Sequence, residues 1–187
     1  MAELASRVGE PAVAYRYVAL HGLRSDGVEL EGGVAFHCQA FARLLQGCTE
    51  VAPFVLTAGA GLSEKVVDLV ESGDLLEGVL LETAGWLAIE DATRQFRTHL
   101  REESLRRKHR ITSRLGPGYS YKNGNAMCSW PLEEQPELFS LFGEAALPVS
   151  LMRSCAMQPK MSRSGMFGIA PVASAVARRN PPSIHRS

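Results

Sequence analysis

RLGPGYSYKNGNAMCSWPLEEQ, residues 114–135, is the stretch around which the rest of the chain is organised. It places an arginine, three glycines, two tyrosines, a cysteine and a tryptophan between segments with ordinary helix and strand patterns. Glycine reaches positive φ freely and proline fixes φ, so the Gly-Pro-Gly run at 116–118 predicts a tight, stiff turn. Arg114 supplies a planar cationic fork beside that turn and Tyr119 a hydroxyl. The stretch therefore predicts either a ligand loop or a turn with a structural arginine at its base.

The bulk composition predicts one globular domain. The chain has 187 residues, of which 45% are hydrophobic and 21% charged, as is typical of a domain with its own core. Lys+Arg and Asp+Glu both number 20, so no net charge favours nucleic acid or an anionic membrane as partner. The sequence shows neither a signal-peptide pattern nor a long apolar run, which predicts a cytoplasmic protein with no membrane association. The domain is expected over residues 1–170, and residues 171–187 are expected to form a disordered tail.

The spacing of apolar residues predicts an α+β fold. Alternating and β-branched runs predict strands, and apolar residues three and four apart predict helices. The predicted strands cover residues 11–20, 28–30, 50–56, 147–152 and 161–169, and the predicted helices 34–47, 62–71, 75–108 and 130–142. Ser63 is a candidate cap for the second helix. Together these segments predict a single domain in which a mixed or antiparallel sheet packs with a long central helix and several shorter helices.

The four cysteines, Cys38, Cys48, Cys128 and Cys155, form no C-x-x-C pair. In a chain without an export signal they are expected to be reduced thiols. Cys128 lies in a glycine-rich insert, and Cys155 lies two residues before a methionine and four before a proline. Folding that brings these two together would make a redox pair or a partial metal site. Two thiols do not complete a closed zinc or iron–sulfur site, so a metal would need ligands shared between subunits.

Three motifs occur in one order along the chain. They are R-x-x-x-G-Y at 114–119, W-P-L-x-x-Q at 130–135 and S-C-x-M-x-P-K-x-S at 154–162. A T-x-G turn at 57–59 and a long predicted helix precede them. With this set the chain resembles the activation domain of cobalamin-dependent methionine synthase, and more closely the short stand-alone bacterial proteins of that family. The resemblance covers roughly residues 50–170.

The resemblance implies a binding site for S-adenosylmethionine. In the family the R-x-x-x-G-Y motif holds this ligand, with the arginine suited to its carboxylate and the glycine turn to main-chain contacts. The corresponding residues are Arg114, Gly116, Gly118 and Tyr119. An acidic residue of the long helix is expected to assist the cationic ligand, for which Glu90 and Asp91 are the candidates, while another alignment register places Arg94 there.

The resemblance further implies an accessory function in cobalamin chemistry. Reductive methylation takes an electron from a flavoprotein and a methyl group from S-adenosylmethionine. The cobalamin-binding module of the full-length enzyme has no counterpart here, so cobalamin must come with a partner, which is a corrinoid protein or a cobalamin-dependent methyltransferase. Whether the chain is itself an enzyme, and whether it forms a homo-oligomer, stays open. The alternatives are a binding module of the same fold that docks a corrinoid protein or other small ligand without turnover, and a redox or metal protein that uses Cys128 and Cys155.

Overall fold

The computed structural model describes residues 9–172, and strand β5 (Glu50–Thr57) lies at the centre of its sheet. Side chains along β5 alternate between the two faces, as strand geometry requires. Phe54 and Leu56 belong to the apolar cluster on one face, whereas Val51 and Val55 belong to clusters on the other. The predicted strand over 50–56 is therefore confirmed, and its burial on both faces makes it the strand that joins two layers of the core.

Every strand pairing in the described part of the chain is antiparallel. The other strands are β1 (Ala12–Tyr15), β2 (Val18–Leu23), β3 (Gly27–Leu30), β4 (Ala35–His37), β6 (His109–Ile111), β7 (Ser120–Asn123), β8 (Ala126–Ser129), β9 (Ser150–Leu151), β10 (Met157–Gln158) and β11 (Ser162–Pro171). Within residues 9–172 the main sheet has seven strands in the order β4-β3-β2-β5-β11-β6, and β1 also pairs with β5. The remaining strands form the separate hairpins β7–β8 and β9–β10.

Four α-helices accompany the sheet in the described residues 9–172. They are α1 (Phe41–Leu44), α2 (Ala60–Glu71), α3 (Leu75–Arg106) and α4 (Gln135–Ser140), with 3₁₀ turns at Glu31–Gly33 and Leu132–Glu134. Helix α3 confirms the long predicted helix, and the fold class predicted from the sequence, a single α+β domain, is confirmed with it. None of the helices in this range has the length and apolar character needed to cross a membrane.

Helix α3 packs across one face of the sheet. Its buried residues Leu81, Ile89 and Phe96 recur at seven- or eight-residue intervals and so form one stripe. They meet Phe167 of β11 in a single apolar cluster. Gly85 lies in the same stripe, and a side chain there would overlap the sulfur of Met161, the residue before β11. The glycine therefore allows α3 to approach β11 closely, which matters because β11 also carries the candidate site.

The predicted helix over residues 34–47 is wrong. Residues Ala35–His37 form β4, which pairs with β3, and only Phe41–Leu44 are helical. Phe36 is fully buried between a half-buried alanine and an exposed His37, which is the period-two pattern of a strand. The predicted helix included His37 and Cys38, but His37 is the last residue of β4 and Cys38 follows it.

Three other predicted boundaries also change. The strand over 11–20 is two strands, β1 and β2, that pair with opposite ends of β5. Helix α2 begins at Ala60, so Ser63 is inside it and Gly59, at φ +99°, occupies the cap position. The helix over 130–142 is reduced to a 3₁₀ turn and the short helix α4. Of the predicted tail, residues 173–187 lie outside the described residues, and Pro171 is the last residue of β11.

Candidate functional site

Residues 114–119, named here the arginine loop, are fastened to β11 and to Trp130 through the backbone. Leu115 exchanges two backbone hydrogen bonds with Met166 of β11, at 2.9 and 2.8 Å. Gly118 adopts φ +80° and donates its N–H to the carbonyl oxygen of Trp130 at 2.8 Å. Because this φ is strained for residues that carry a Cβ, the glycine is required by the turn. The tight turn predicted from the sequence is present, and the second motif holds it closed.

A tyrosine hydroxyl fixes the middle of the arginine loop. Tyr121 accepts a hydrogen bond from the Gly116 N–H at 2.7 Å and donates one to the Gly116 carbonyl at 3.1 Å. Burial raises the pKa of Tyr121, so its hydroxyl keeps the proton that the second bond needs. A Cβ at Gly116 would lie 3.2 Å from Nη1 of Arg114 and 3.2 Å from the Ser164 carbonyl. The N–H groups of Gly116 and Gly118 are already paired, so the loop offers a ligand close approach rather than free N–H donors.

One guanidinium nitrogen of Arg114 is buried without a partner in the described part of the chain. Its Cζ lies 4.6 Å from the centroid of the Tyr119 ring, which covers one face of the guanidinium. Nη1 is buried and has no hydrogen-bond partner among residues 9–172. An unpaired buried donor costs about 1–3 kcal/mol, and more when charged, unless a ligand or water satisfies it. Tyr119 is 46% exposed, so its ring is the part of this cover that faces solvent.

Glu90 of α3 lies near the arginine loop but is engaged by another arginine. Arg163 of β11 pairs with the Glu90 carboxylate and also donates to Thr93 Oγ1 at 3.1 Å. The hydrogen bond from Arg163 holds the pKa of Glu90 below its ordinary value, and the charge of Arg114 acts in the same direction. Two guanidinium groups therefore act on one carboxylate, Arg163 by direct pairing and Arg114 through its charge alone.

Replacing Arg163 by glutamine is expected to raise the pKa of Glu90 toward the ordinary glutamate range. The folded-state pKa of Glu90 is depressed, so the stabilisation from this pair is present at neutral pH and is lost as the pH falls through that pKa. The difference in urea midpoint between wild type and variant should therefore shrink on acidification. Because Glu90 is 65% exposed, the pair contributes at most about 1 kcal/mol, and an NMR titration of the carboxyl carbon is the more sensitive measurement.

A matched control is the ion pair between Glu82 of α3 and Lys160, which lies between β10 and β11. Lys160 donates to Glu82 at 2.6 Å and lowers the pKa of that carboxyl. Lys160→Gln should shift the titration of Glu82 and leave that of Glu90 unchanged. An unshifted Glu90 in Arg163→Gln would show that the arginine does not hold this carboxylate in solution.

Asp91 faces a different part of the molecule. Its carboxylate accepts hydrogen bonds from Arg94 and from Gln95 on its own helix. It lines a largely apolar cleft of about 880 Å³ between β1 and α3, whose other walls include Ala12, Tyr15, Leu56, Leu62, Leu87 and Phe96. The structure thus brings Glu90 toward the arginine loop, whereas the neighbouring Asp91 lines the cleft between β1 and α3.

The sequence did not single out Arg163, which pairs with Glu90, or Trp86, which lies on the same helix as Glu90. Trp86 lies four residues after Glu82 and four before Glu90, so the three share one helix face. The Trp86 ring is 39% exposed, and its Nε1 lies 3.4 Å from Glu82. Such a ring offers a stacking surface for a heterocycle. The i, i+4 spacing was readable in the sequence, whereas Arg163 is 73 residues from its partner Glu90 and gave no local signal.

The cysteines are placed differently from the pairing considered from the sequence. The sulfur of Cys128 lies 3.4 Å from that of Cys38. Cys155 lies in the turn between β9 and β10, where its carbonyl accepts a hydrogen bond from Gln135 at 2.8 Å. Cys38 therefore replaces Cys155 as the partner of Cys128. Within residues 9–172 no three His, Cys, Asp or Glu side chains are placed to hold a metal ion.

Comparison with solved structures decides the fold family. The crystal structure of the MetH reactivation domain bound to AdoHcy matches this chain with a TM-score of 0.65. The chain has the fold of the MetH reactivation domain. The match covers 91% of this chain and 62% of that chain, at 15% sequence identity, so the chain spans about three fifths of the solved structure's length. No protein-family model and no curated protein matches the sequence.

The likeness confirms the activation-domain fold expected from the three motifs. At this identity it bears on the fold and not on individual residues. The assignment of a ligand to Arg114, Gly116, Gly118, Tyr119, Glu90 and Asp91 stays a prediction. What the geometry adds is that the four loop residues form one compact turn, with Glu90 within electrostatic range of Arg114.

Proposed function

We propose that this chain binds S-adenosylmethionine at the arginine loop and assists the reductive methylation of a cobalamin carried by a partner corrinoid methyltransferase. The observation that carries the proposal is the buried Nη1 of Arg114, which has no partner among the described residues. A ligand carboxylate supplies the acceptor that this nitrogen lacks. The structure with the same fold contains AdoHcy, which shares its amino acid carboxylate and adenine with S-adenosylmethionine.

The surroundings of Arg114 suit the other parts of such a ligand. Gly116 has no side chain to obstruct an approach to the guanidinium. The exposed ring of Trp86, one turn before Glu90 on α3, offers a stacking surface to the adenine. Tyr119 covers Arg114 and is expected to rotate aside when the carboxylate enters. These residues bind and orient, and none of them is a nucleophile that takes up the methyl group.

The proposed contribution of the chain is therefore positioning. A cobalamin bound to the partner supplies the metal centre that accepts the methyl group. Holding the methyl donor in a fixed orientation lowers the activation barrier, because less entropy is lost when the two reactants meet. A flavoprotein is the proposed source of the electron. On this proposal the chain is an accessory to a cobalamin-dependent methyltransferase.

Binding of S-adenosylmethionine should depend on Arg114. Isothermal titration of the wild type is expected to give saturable heat, and Arg114→Ala should weaken the affinity at least about tenfold, which corresponds to about 1.4 kcal/mol. The physical reason is the loss of a charge-assisted bond to the ligand carboxylate. Arg114→Lys keeps the charge but loses the planar fork, so an intermediate affinity is expected.

Arg24→Ala is the matched control. Arg24 is exposed in the β2–β3 turn and pairs with Glu29, so its removal should leave the affinity unchanged. Equal affinities in wild type and Arg114→Ala would show that the ligand does not bind at the arginine loop. An absence of heat in the wild type at millimolar ligand would overturn the proposed ligand itself.

One observation favours a second function, a binding module without turnover. The carboxylate of Glu90 is held by Arg163, so the surroundings of Arg114 carry more positive than negative charge. Such a field opposes a sulfonium cation and tolerates a neutral thioether or an anion. Titration of the wild type with AdoHcy beside S-adenosylmethionine separates the two functions. Tighter binding of AdoHcy would favour the binding module, and tighter binding of S-adenosylmethionine would favour the methyl donor.

A further inference from the structure

Two thiols that are far apart in sequence meet beside the arginine loop. Cys38 follows β4, Cys128 lies on β8, and their sulfurs are 3.4 Å apart although 90 residues separate them. A disulfide bond is about 2.05 Å long, so an approach of only about 1.4 Å would close it. Cys128 belongs to the β7–β8 hairpin, which forms a sheet separate from the main sheet in the part of the chain that the structure describes. The hairpin meets the core through side chains, since Tyr121 and Cys128 pack against the apolar cluster that contains Cys38.

The same hairpin holds the arginine loop. Cys128 is the direct register partner of Tyr121 across the hairpin, and its thiol lies 3.6 Å from the Tyr121 carbonyl oxygen. The hydroxyl of Tyr121 in turn makes two hydrogen bonds to the backbone of Gly116. A constraint on Cys128 therefore acts on the arginine loop through the β7–β8 pairing and the side chain of Tyr121.

We propose that Cys38 and Cys128 are a redox pair whose oxidation to an intramolecular disulfide fixes the β7–β8 hairpin and rigidifies the arginine loop. The pair forms a site for thiol–disulfide exchange with a small-molecule disulfide such as glutathione disulfide. It does not depend on the ligand proposed for the loop, since it rests on the thiols and the hairpin alone.

The exchange balances in two steps. The thiolate of Cys128 attacks one sulfur of glutathione disulfide, forms a mixed disulfide and releases one glutathione thiolate. Cys38 then gives its proton to solvent, attacks the Cys128 sulfur and releases the second glutathione. Two protein thiols are oxidised to one disulfide, and one glutathione disulfide is reduced to two thiols.

Burial sets the order of the two cysteines. Cys38 is 3% exposed, and this burial raises the pKa of its thiol to about 11. It is therefore protonated at neutral pH and shielded from the oxidant. Cys128 is half-buried, so it is the thiol that the oxidant reaches first.

Peptide mapping of the full chain tests the pair directly. The wild type is incubated with excess glutathione disulfide, its remaining thiols are alkylated, and the digest is read without reduction. The expected product is one linked peptide containing Cys38 and Cys128, with Cys48 and Cys155 alkylated. Stable glutathione on Cys128 with Cys38 alkylated, or a linked peptide with any other partner, would overturn the pair.

Hydrogen exchange tests the effect on the loop. Amides of residues 114–129 are expected to exchange several-fold more slowly in the oxidised protein and to recover after reduction. Cys128→Ser should lose both the linked peptide and this protection, whereas Cys155→Ser should keep both. A linked peptide with unchanged exchange would retain the disulfide and refute its action on the arginine loop. Because no S-adenosylmethionine is present, neither result depends on the proposed function.

Discussion

Replacing Trp130 by alanine is expected to destabilise the fold by about 3–5 kcal/mol. The Trp130 side chain is fully buried, and its ring lies 4.9 Å from that of Phe36 and 5.2 Å from that of Phe41, measured between centroids. Its Nε1 donates to Glu134 at 2.9 Å. Alanine leaves a cavity between the rings and removes one of the donors that hold the carboxylate. Equilibrium unfolding in urea, followed by far-UV circular dichroism, measures the loss.

The other tryptophan supplies the control for this change. Trp86 is 39% exposed on α3, so Trp86→Ala should alter the free energy of unfolding by less than about 1 kcal/mol. Trp130→Phe should fall between the two alanine variants, because a ring remains while the N–H to Glu134 is lost. Equal losses for Trp86→Ala and Trp130→Ala would mean that Phe36 and Phe41 do not pack around Trp130 as a buried layer of the core.

The sequence predicted correctly the elements whose apolar pattern is complete within the element itself. Helix α3 needs one apolar stripe along 32 residues, and β5 needs an unbroken apolar run. The failure at residues 34–47 has a tertiary cause. Phe36 and Phe41 fit one helical face by spacing, but they meet around Trp130 because β4 pairs with β3. The choice between helix and strand at residues 35–37 was decided by pairing with β3, and the local sequence pattern carries no information about that pairing.

In the candidate site, too, the local features could be predicted from the sequence and the contacts between distant segments could not. The arginine loop is contiguous in sequence, so its turn and its arginine could be predicted together. The contacts that surround it come from distant segments, as with Arg163 and Glu90, 73 residues apart, and Cys38 and Cys128, 90 residues apart. The sequence around a cysteine does not show which other cysteine lies close to it in space. Cys155 was therefore as reasonable a partner for Cys128 as Cys38 was.

Replacing Gly165 by alanine is expected to destabilise the fold by about 2–4 kcal/mol and to displace the arginine loop. Gly165 has φ +156°, and a Cβ there would overlap the carbonyl oxygen of Leu115 and lie 3.3 Å from the ring of Phe54. The overlap is with backbone, which cannot rotate away as a side chain can. The arginine loop and β11 must separate, and the paired hydrogen bonds between Leu115 and Met166 are lost. Urea unfolding measures the stability, and hydrogen exchange at Leu115 measures the displacement.

Gly22→Ala is the control, because Gly22 lies in β2, needs no unusual φ, and a Cβ added there would have no atom within 4 Å. Its effect on unfolding should stay below about 1 kcal/mol. If Gly165→Ala were as stable as Gly22→Ala, β11 would not approach the Leu115 carbonyl closely enough to exclude a side chain. If stability fell while the Leu115 amide stayed protected, the strain would lie in β11 alone. The arginine loop would then still be held by the sheet through Leu115 and Met166, with Trp130 and Tyr121 making its other bonds.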